Sequence, residues 1–335
     1  MIDGLLAGLE WATQFSDPLA WLVLAAFLVT AALDWHGERE LARYVGVGGW
    51  ALFGVFWFSL VYHFAFVQKS IIEGIGAVVA VPAAFYVGYL LWNGRDSLLV
   101  LSRAVLLMGV VFFPFESIPV LRQLLVETVT RQTEFLMALT GHHPEVANGA
   151  QLDLPGVDPD PYRNTFVFVN DLPYTGAEES HRITYTILIA CTGIGSMSIF
   201  AGLIAAVDAP WRRKLRALAV SLPVIYVLNL FRNVFIGVTF GEQYLHVFPD
   251  LVLTVFGSEE LPRVSYFVAD RIIAQSLSVV ALVGITYLVV RELPEVLAII
   301  EDLLFVVTGS EYDLRAALEV PAVAADGGEE SPSDD

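Results

Sequence analysis

Only one cysteine, Cys191, occurs in 335 residues. Without a second thiol the chain can close no internal disulfide and build no multi-thiolate metal site. Basic residues are also scarce: 18 Lys and Arg stand against 36 Asp and Glu, a net charge of −18. Such an acidic chain is a poor binder of nucleic acid, because that affinity comes from basic side chains neutralising phosphates. Dense acid is instead a familiar adaptation to high salt, where self-repulsion is screened, and a halophilic, archaeal source is expected. Residues 1–17 have no basic n-region and carry Asp3, Glu10 and Asp17. The first apolar segment is therefore expected to remain as a span and not to be removed as a signal peptide.

What the chain has in abundance is apolar sequence. Fifty-six per cent of its residues are hydrophobic, and the mean hydropathy is +0.65, far above a soluble domain. Runs of about 20 apolar residues recur, each long enough to cross a hydrocarbon layer roughly 30 Å thick. They fall near 18–34, 45–66, 71–92, 97–117, 185–207, 215–238 and 269–290. The expected fold is an all-α polytopic membrane protein of about seven transmembrane helices with an extracytoplasmic cap. Residues 1–117 would hold spans one to four, 118–184 the cap, 185–290 spans five to seven, and 291–335 an amphipathic cytoplasmic helix followed by a disordered acidic tail.

Loop charges orient this layout. Arg39 and Arg43, Arg95, the Arg212, Arg213, Lys214 and Arg216 group, and Arg291 all fall in or beside connections on one side. Positive residues collect on the cytoplasmic side, so the amino terminus is expected outside and the carboxyl terminus inside. Trp35, Trp92 and Trp211 fall near span ends, where interfacial anchors belong. In the cap, 118–139 carries Val120, Leu121, Leu124, Leu125 and Val129 at helical spacing, as an interfacial amphipathic helix would. Residues 141–161 read as a Pro/Gly/Asp-rich loop, and 163–169 alternates as a strand that would pair with residues after His181.

In this topology Cys191 on span five, Arg232 on span six and Arg271 on span seven all lie near the outer ends of their helices. Cys191, Gly195, Ser198, Gly202 and Ala205 recur at helical spacing, a small-residue stripe open to close approach by another helix. Asn229, Arg232 and Asn233 share a face of span six; Arg271, Gln275 and Ser278 share one of span seven. Ionised side chains in a span point to function, although packing seams with arginines extended to the interface would give the same pattern. Chemically, a guanidinium beside a thiol favours the nucleophilic thiolate. A second could donate to the oxyanion formed when a carbonyl is attacked. No histidine lies near Cys191 in the span: His181 is ten residues earlier, His246 is in a loop and His63 is on span two. His142-His143 has no partner at metal-ligand spacing, so neither metal nor cofactor is expected.

Ala190-Cys-Thr-Gly-Ile-Gly195-Ser in one span, Asn229-Leu-Phe-Arg232-Asn-Val in the next and Asp270-Arg271 opening the last resemble the exosortase/archaeosortase family. The likeness spans the seven-helix layout, with its specificity in those three motifs. The resemblance implies a membrane cysteine protease with transpeptidase-like chemistry. Its substrates would be secreted proteins, surface-layer glycoproteins included, bearing a carboxyl-terminal tripartite signal of a Pro-Gly-Phe motif, a hydrophobic span and a basic tail. It would remove that span in a step coupled to attachment of a membrane prenyl lipid. Cys191 would form the acyl-thioester, Arg232 would be the proton donor or thiolate partner, and Arg271 would stabilise the transition state. A guanidinium is a poor general acid near neutrality. Some relatives carry histidine at the third position, where this chain has Arg271, so the proton's route stays open.

Rival readings make their own demands. A seven-helix retinal protein needs a lysine in the last span, and the two lysines, Lys69 and Lys214, fall in loops. A transporter would continue its polar stripes toward the cytoplasmic ends and usually shows a repeat, whereas the spans turn apolar below Gly202, Asn229 and Ser278. Leu172-Pro-Tyr-Thr-Gly176 matches a bacterial sortase signal, but a long chain follows it and a Pro/Gly turn is the better reading. A non-catalytic scaffold remains the other alternative and would make Cys191→Ala silent.

Overall fold

The computed structural model describes residues 2–68, 71–152, 161–170 and 181–317. Lys69, the Leu172–Gly176 motif and the acidic tail lie outside the described residues. Among those described, six helices are long and apolar enough to cross a membrane: Ser16–Trp35 (α2), Arg39–Val67, Glu73–Trp92, Leu98–Ser117 (α5), Trp211–Gly241 (α8) and Arg263–Glu292. The second consists of α3, Arg39–Tyr62, continued by a π-helical turn at His63–Val67. The third lies within α4, Ile71–Trp92. The last consists of α10, Arg263–Tyr266, a π-helical segment at Phe267–Ala274, and α11, Gln275–Glu292. A short helix, α1, precedes them at Ile2–Thr13, and another, α9, lies between α8 and α10 at Pro249–Phe256.

The expected span at 185–207 takes a different form. Only Ile194–Ala206 (α7) is helical. At about 1.5 Å per residue its 13 residues reach only about 20 Å, less than the hydrocarbon thickness. The residues before it form a strand, His181–Thr186 (β3), and a 3₁₀ turn, Ile189–Thr192. The apolar run misleads because a short buried strand and a buried helix look alike in hydropathy. What breaks the helix is Gly193, whose left-handed φ of 79° caps α7. With α7 counted beside the six long helices, the polytopic all-α class stands, and the small sheet forms its cap.

That sheet has strand order β1-β2-β3, with β1 at Glu145–Asn148 and β2 at Arg163–Asn170. Both pairings are antiparallel, and Phe166 faces Tyr185 across β2 and β3. β1 lies in the stretch expected to be loop. The amphipathic helix is present as α6, Pro119–Leu139. It does more than lie at an interface, for it packs on β2, on the 3₁₀ turn and on α8. Val129 is buried there, while Val120 and Leu124 stay exposed.

Among the described residues, two larger cores, beside a smaller cluster of Val252, Phe256, Val264, Phe267 and Val268, hold these parts. One lies inside the helical bundle around Phe27, Trp50, Leu91, Leu98, Ile204 and Leu293. The other lies under the cap: Val129, Met137, Phe166, Ile183, Tyr185, Ile187 and Ile236, with Cys191 packed at its edge. Glycines let the sheet reach α8. A Cβ on Gly241 would overlap the ring of Phe168, and one on Gly237 would overlap Met137 and Tyr185.

Of the small-residue stripe, Ser198 and Gly202 form a packing seam. A Cβ on Gly202 would stand 2.6 Å from the Ala104 carbonyl oxygen and 2.7 Å from the Met108 nitrogen of α5. Ser198 is buried and its hydroxyl donates to the Ile194 carbonyl, whereas Gly195 and Ala205 are exposed. Gly202→Ala is therefore expected to destabilise the protein by about 1–3 kcal/mol. Gly195→Ala, with nothing within 4 Å of the added carbon, should be near neutral. Thermal unfolding of the two variants in detergent checks this contrast.

At the bundle end away from the cap, the basic loop residues are engaged with acids. Arg43 makes a two-point contact with Asp96 at 2.9 and 3.0 Å. Arg95 bonds Asp302 at 2.8 Å and Glu311 at 2.8 Å, and stacks on Phe305. Arg213 bonds Glu295 at 2.7 Å. The Arg43 pair fastens α3 to the turn between α4 and α5, and the Arg95–Asp302 pair fastens that turn to the amphipathic helix Val296–Thr308 (α12). The Arg213 pair fastens the first turn of α8 to the start of α12.

Candidate active site

Cys191 sits in the 3₁₀ turn between β3 and α7, not inside a helix. Its N–H donates to the Leu188 carbonyl at 2.8 Å, and the Thr192 hydroxyl donates to the Ile189 carbonyl at 2.6 Å. Gly193 supplies the turn, and a side chain there would meet the Asn229 carboxamide at 3.0 Å. That closeness has a purpose. Asn229 and Asn233, one helical turn apart on α8, both donate their Nδ2 hydrogens to the Cys191 carbonyl, each at 2.8 Å. The main chain at the thiol is thus held by two amides from a neighbouring helix.

Asn233 is itself oriented from the cap. The Tyr185 hydroxyl donates to Asn233 Oδ1 at 3.3 Å, while its ring stacks on Phe166. Burial pushes the Tyr185 phenol well above its ordinary range, so it stays a neutral O–H donor at any working pH.

Charge enters through Asp270. Arg232, on the same face of α8 as the two asparagines, bonds Asp270 Oδ1 at 2.6 Å. The other carboxylate oxygen lies 3.5 Å from Arg271 Nε. Arg271 also donates to the Gln68 carbonyl at 3.0 Å and stands over the Tyr266 ring, 5.9 Å from its centre. Both elements meeting at Arg271 are π-helical: Phe267–Ala274 carries it, and Gln68 closes the turn at His63–Val67. Wide turns of this kind frequently mark functional sites. Arg232 and Asp270 lie within electrostatic range of the Cys191 sulfur, as does Tyr266.

The three residues singled out in the sequence therefore fall in one region. Cys191 and Arg232 share a cluster, and Arg271 joins it through Asp270. Cys191 does not share a helix face with Gly195 and Ser198. Sequence reasoning missed Asp270 as a group in its own right, Tyr185, Gln68, and the use of Asn229 and Asn233 as main-chain clamps. The spacing of Asn229 and Asn233 was the available signal; for Tyr185 and Gln68 there was none. Among the described residues, no histidine is one of the groups bonded to or charged against Cys191 that are named above, and His142 instead approaches Tyr244 at 3.5 Å. No three His, Cys, Asp or Glu side chains among the described residues converge as a metal site would require.

The sequence profile of the transmembrane exosortase family matches residues 11–259, ending before Asp270. Archaeosortase A of Haloferax volcanii is 50% identical over 313 residues, covering 90% of this chain and 97% of that protein. Archaeosortase A of Natronomonas pharaonis is 43% identical over 303 residues, covering 90% of this chain and 91% of that protein. No solved structure matches. With a family profile across most of its length and relatives aligned nearly end to end, the chain belongs to the exosortase/archaeosortase family of multi-pass membrane proteins.

Proposed function

We propose that this protein is a membrane thiol protease with transpeptidase-like chemistry, acting on secreted surface proteins at the outer face of the cell membrane. Its substrates carry a Pro-Gly-Phe-type motif, a hydrophobic span and a basic tail, and it removes that span. The amino terminus lies outside and the carboxyl terminus in the cytoplasm, in line with the arginines gathered at the bundle end opposite the cap. The acidic chain belongs to a salt-loving archaeon, and its charge tolerates the basic tail of the substrate.

The Cys191 thiolate attacks the carbonyl carbon of the scissile peptide, forming a C–S bond and an oxyanion. Arg232 is the cation that favours the thiolate, and Arg271 is the donor that steadies the oxyanion. The C–N bond then breaks. The amine of the departing segment takes up the proton the thiol has lost, and the substrate remains as an acyl-thioester. A nucleophilic acceptor, a prenyl lipid group or water, attacks that carbonyl. The C–S bond breaks and the acceptor's proton restores the thiol. No cofactor enters this scheme.

The observation that carries the reading is that the chain's only thiol shares one polar cluster with two guanidiniums. A reporter with a tripartite signal and a carboxyl-terminal tag, expressed with and without this protein, tests it. The tag should be lost only when the protein is present. Equal tag retention in both cells would remove the proposal.

A further inference from the structure

We infer that Asp270 is a positioning residue that holds Arg232 and Arg271 as one cationic pair, left one negative charge short so that the Cys191 thiolate, or the oxyanion it creates, completes it. The inference rests on the nucleophilic role proposed for Cys191.

The geometry is specific to a shared carboxylate. Asp270 is buried and turns one oxygen to each arginine, at 2.6 Å from Arg232 and 3.5 Å from Arg271. Asp270 and Arg271 are adjacent in sequence, and neighbours on an ordinary α-helix point about 100° apart. Here the π-helical segment at Phe267–Ala274 lets Asp270 reach α8 while Arg271 reaches back to Gln68.

The charge count follows. Among the described residues, the groups around the sulfur are Arg232 on α8, Asp270 on the π-helical segment, Tyr266 on α10 and Tyr185 on β3, with Arg271 joined through Asp270. Gln68, whose carbonyl accepts from Arg271, donates through its side chain to the Glu73 carboxylate of α4 at 2.5 Å. Among the described residues, two guanidiniums against one shared carboxylate leave a net positive charge in a mostly buried place, which is costly until an anion arrives. Two separate Arg–carboxylate pairs would be neutral and exert no pull on the thiol. Two arginines with no carboxylate would repel each other and splay. One shared aspartate avoids both outcomes.

Cys191 is the only thiol, so alkylation of the full-length protein in detergent by iodoacetamide reports this one sulfur. The rate against pH gives its ionisation midpoint. Asp270→Asn should lower that midpoint by about one pH unit, since a second positive charge is uncovered, while reporter processing falls at least about tenfold. Asp270→Glu, which keeps the charge, should return the midpoint to the wild-type value. The double variant Asp270→Asn with Arg232→Gln leaves one cation and no unpaired carboxylate, so it folds where the single variant fails. Its midpoint should lie near wild type, with processing still lost.

Wild-type processing in Asp270→Asn, a midpoint unmoved or raised by that change, or an Asp270→Glu midpoint lowered alongside it would each overturn the inference. A double-variant midpoint far from wild type would do the same. The midpoint is read without substrate. Normal processing by Cys191→Ala would therefore remove the proposed function by a different result from any that removes the role of Asp270.

Discussion

Cells carrying Cys191→Ala or Cys191→Ser will retain substrates with their carboxyl-terminal span attached, processing being reduced about 10³-fold or more. Alanine removes the proposed nucleophile. Serine keeps a hydroxyl of similar shape, but a hydroxyl ionises far less readily than a thiol and needs an adjacent base. The neighbours of Cys191 are amides, phenols, guanidiniums and one carboxylate already bound to both arginines. Neither variant should unfold the site. Asn229 and Asn233 grip the carbonyl of residue 191, which every amino acid possesses, and Tyr185 acts on Asn233. Quantitative blotting of the tagged precursor, with thermal unfolding in parallel, checks both halves of this expectation. Normal processing in Cys191→Ala would return the thiol to the status of a packing residue.

Arg232→Gln is expected to be the next most severe change, and it should harm stability as well as activity. It removes the 2.6 Å partner of a buried carboxylate, and stripping one member from such a pair costs about 3 kcal/mol because the other charge is left uncovered. It also takes away the cation nearest the thiol, so processing should fall by at least about 10²-fold. Arg232→Lys separates these effects. Lysine keeps a positive charge but lacks the planar fork that reaches a carboxylate in fixed geometry. Most of the stability should return with only part of the activity. Thermal unfolding and reporter processing, measured on both variants, give the two readings. Equal loss of activity in Arg232→Gln and Arg232→Lys would make geometry, and not charge, the contribution of Arg232.

The sequence disclosed most of the bundle and half of the site, for identifiable reasons. Long apolar runs mark α2 to α5 and α8 because a helix of that length has no other use for so many Leu, Val and Phe side chains. Residues 185–207 misled because Tyr-Thr-Ile-Leu-Ile is apolar whether it ends a strand or begins a helix. The decisive break is one backbone angle at Gly193. Cys191 stood out by being alone, and Arg232 by being charged within an apolar run. Asp270 was in view beside Arg271, yet α-helical periodicity sends the two residues in different directions. Only the π-helical segment turns them to a common purpose, and no residue pattern announces it. Tyr185 and Gln68 come from parts of the chain whose nearness to the thiol is purely tertiary.

Only Ile187 and Leu188 separate the last residue of β3 from the turn bearing Cys191. Ile187 is fully buried, and its N–H is bonded to the Asn164 carbonyl of β2 at 2.8 Å. The sheet and the sulfur are thus mounted on the same short arm. The cap cannot swing away like a hatch and leave the thiol behind; any lift of the strands drags Cys191 off its clamp on α8. Traffic to the sulfur that leaves it in register has to come along the flank of the protein, and in the proposed reaction the cut product would depart the same way.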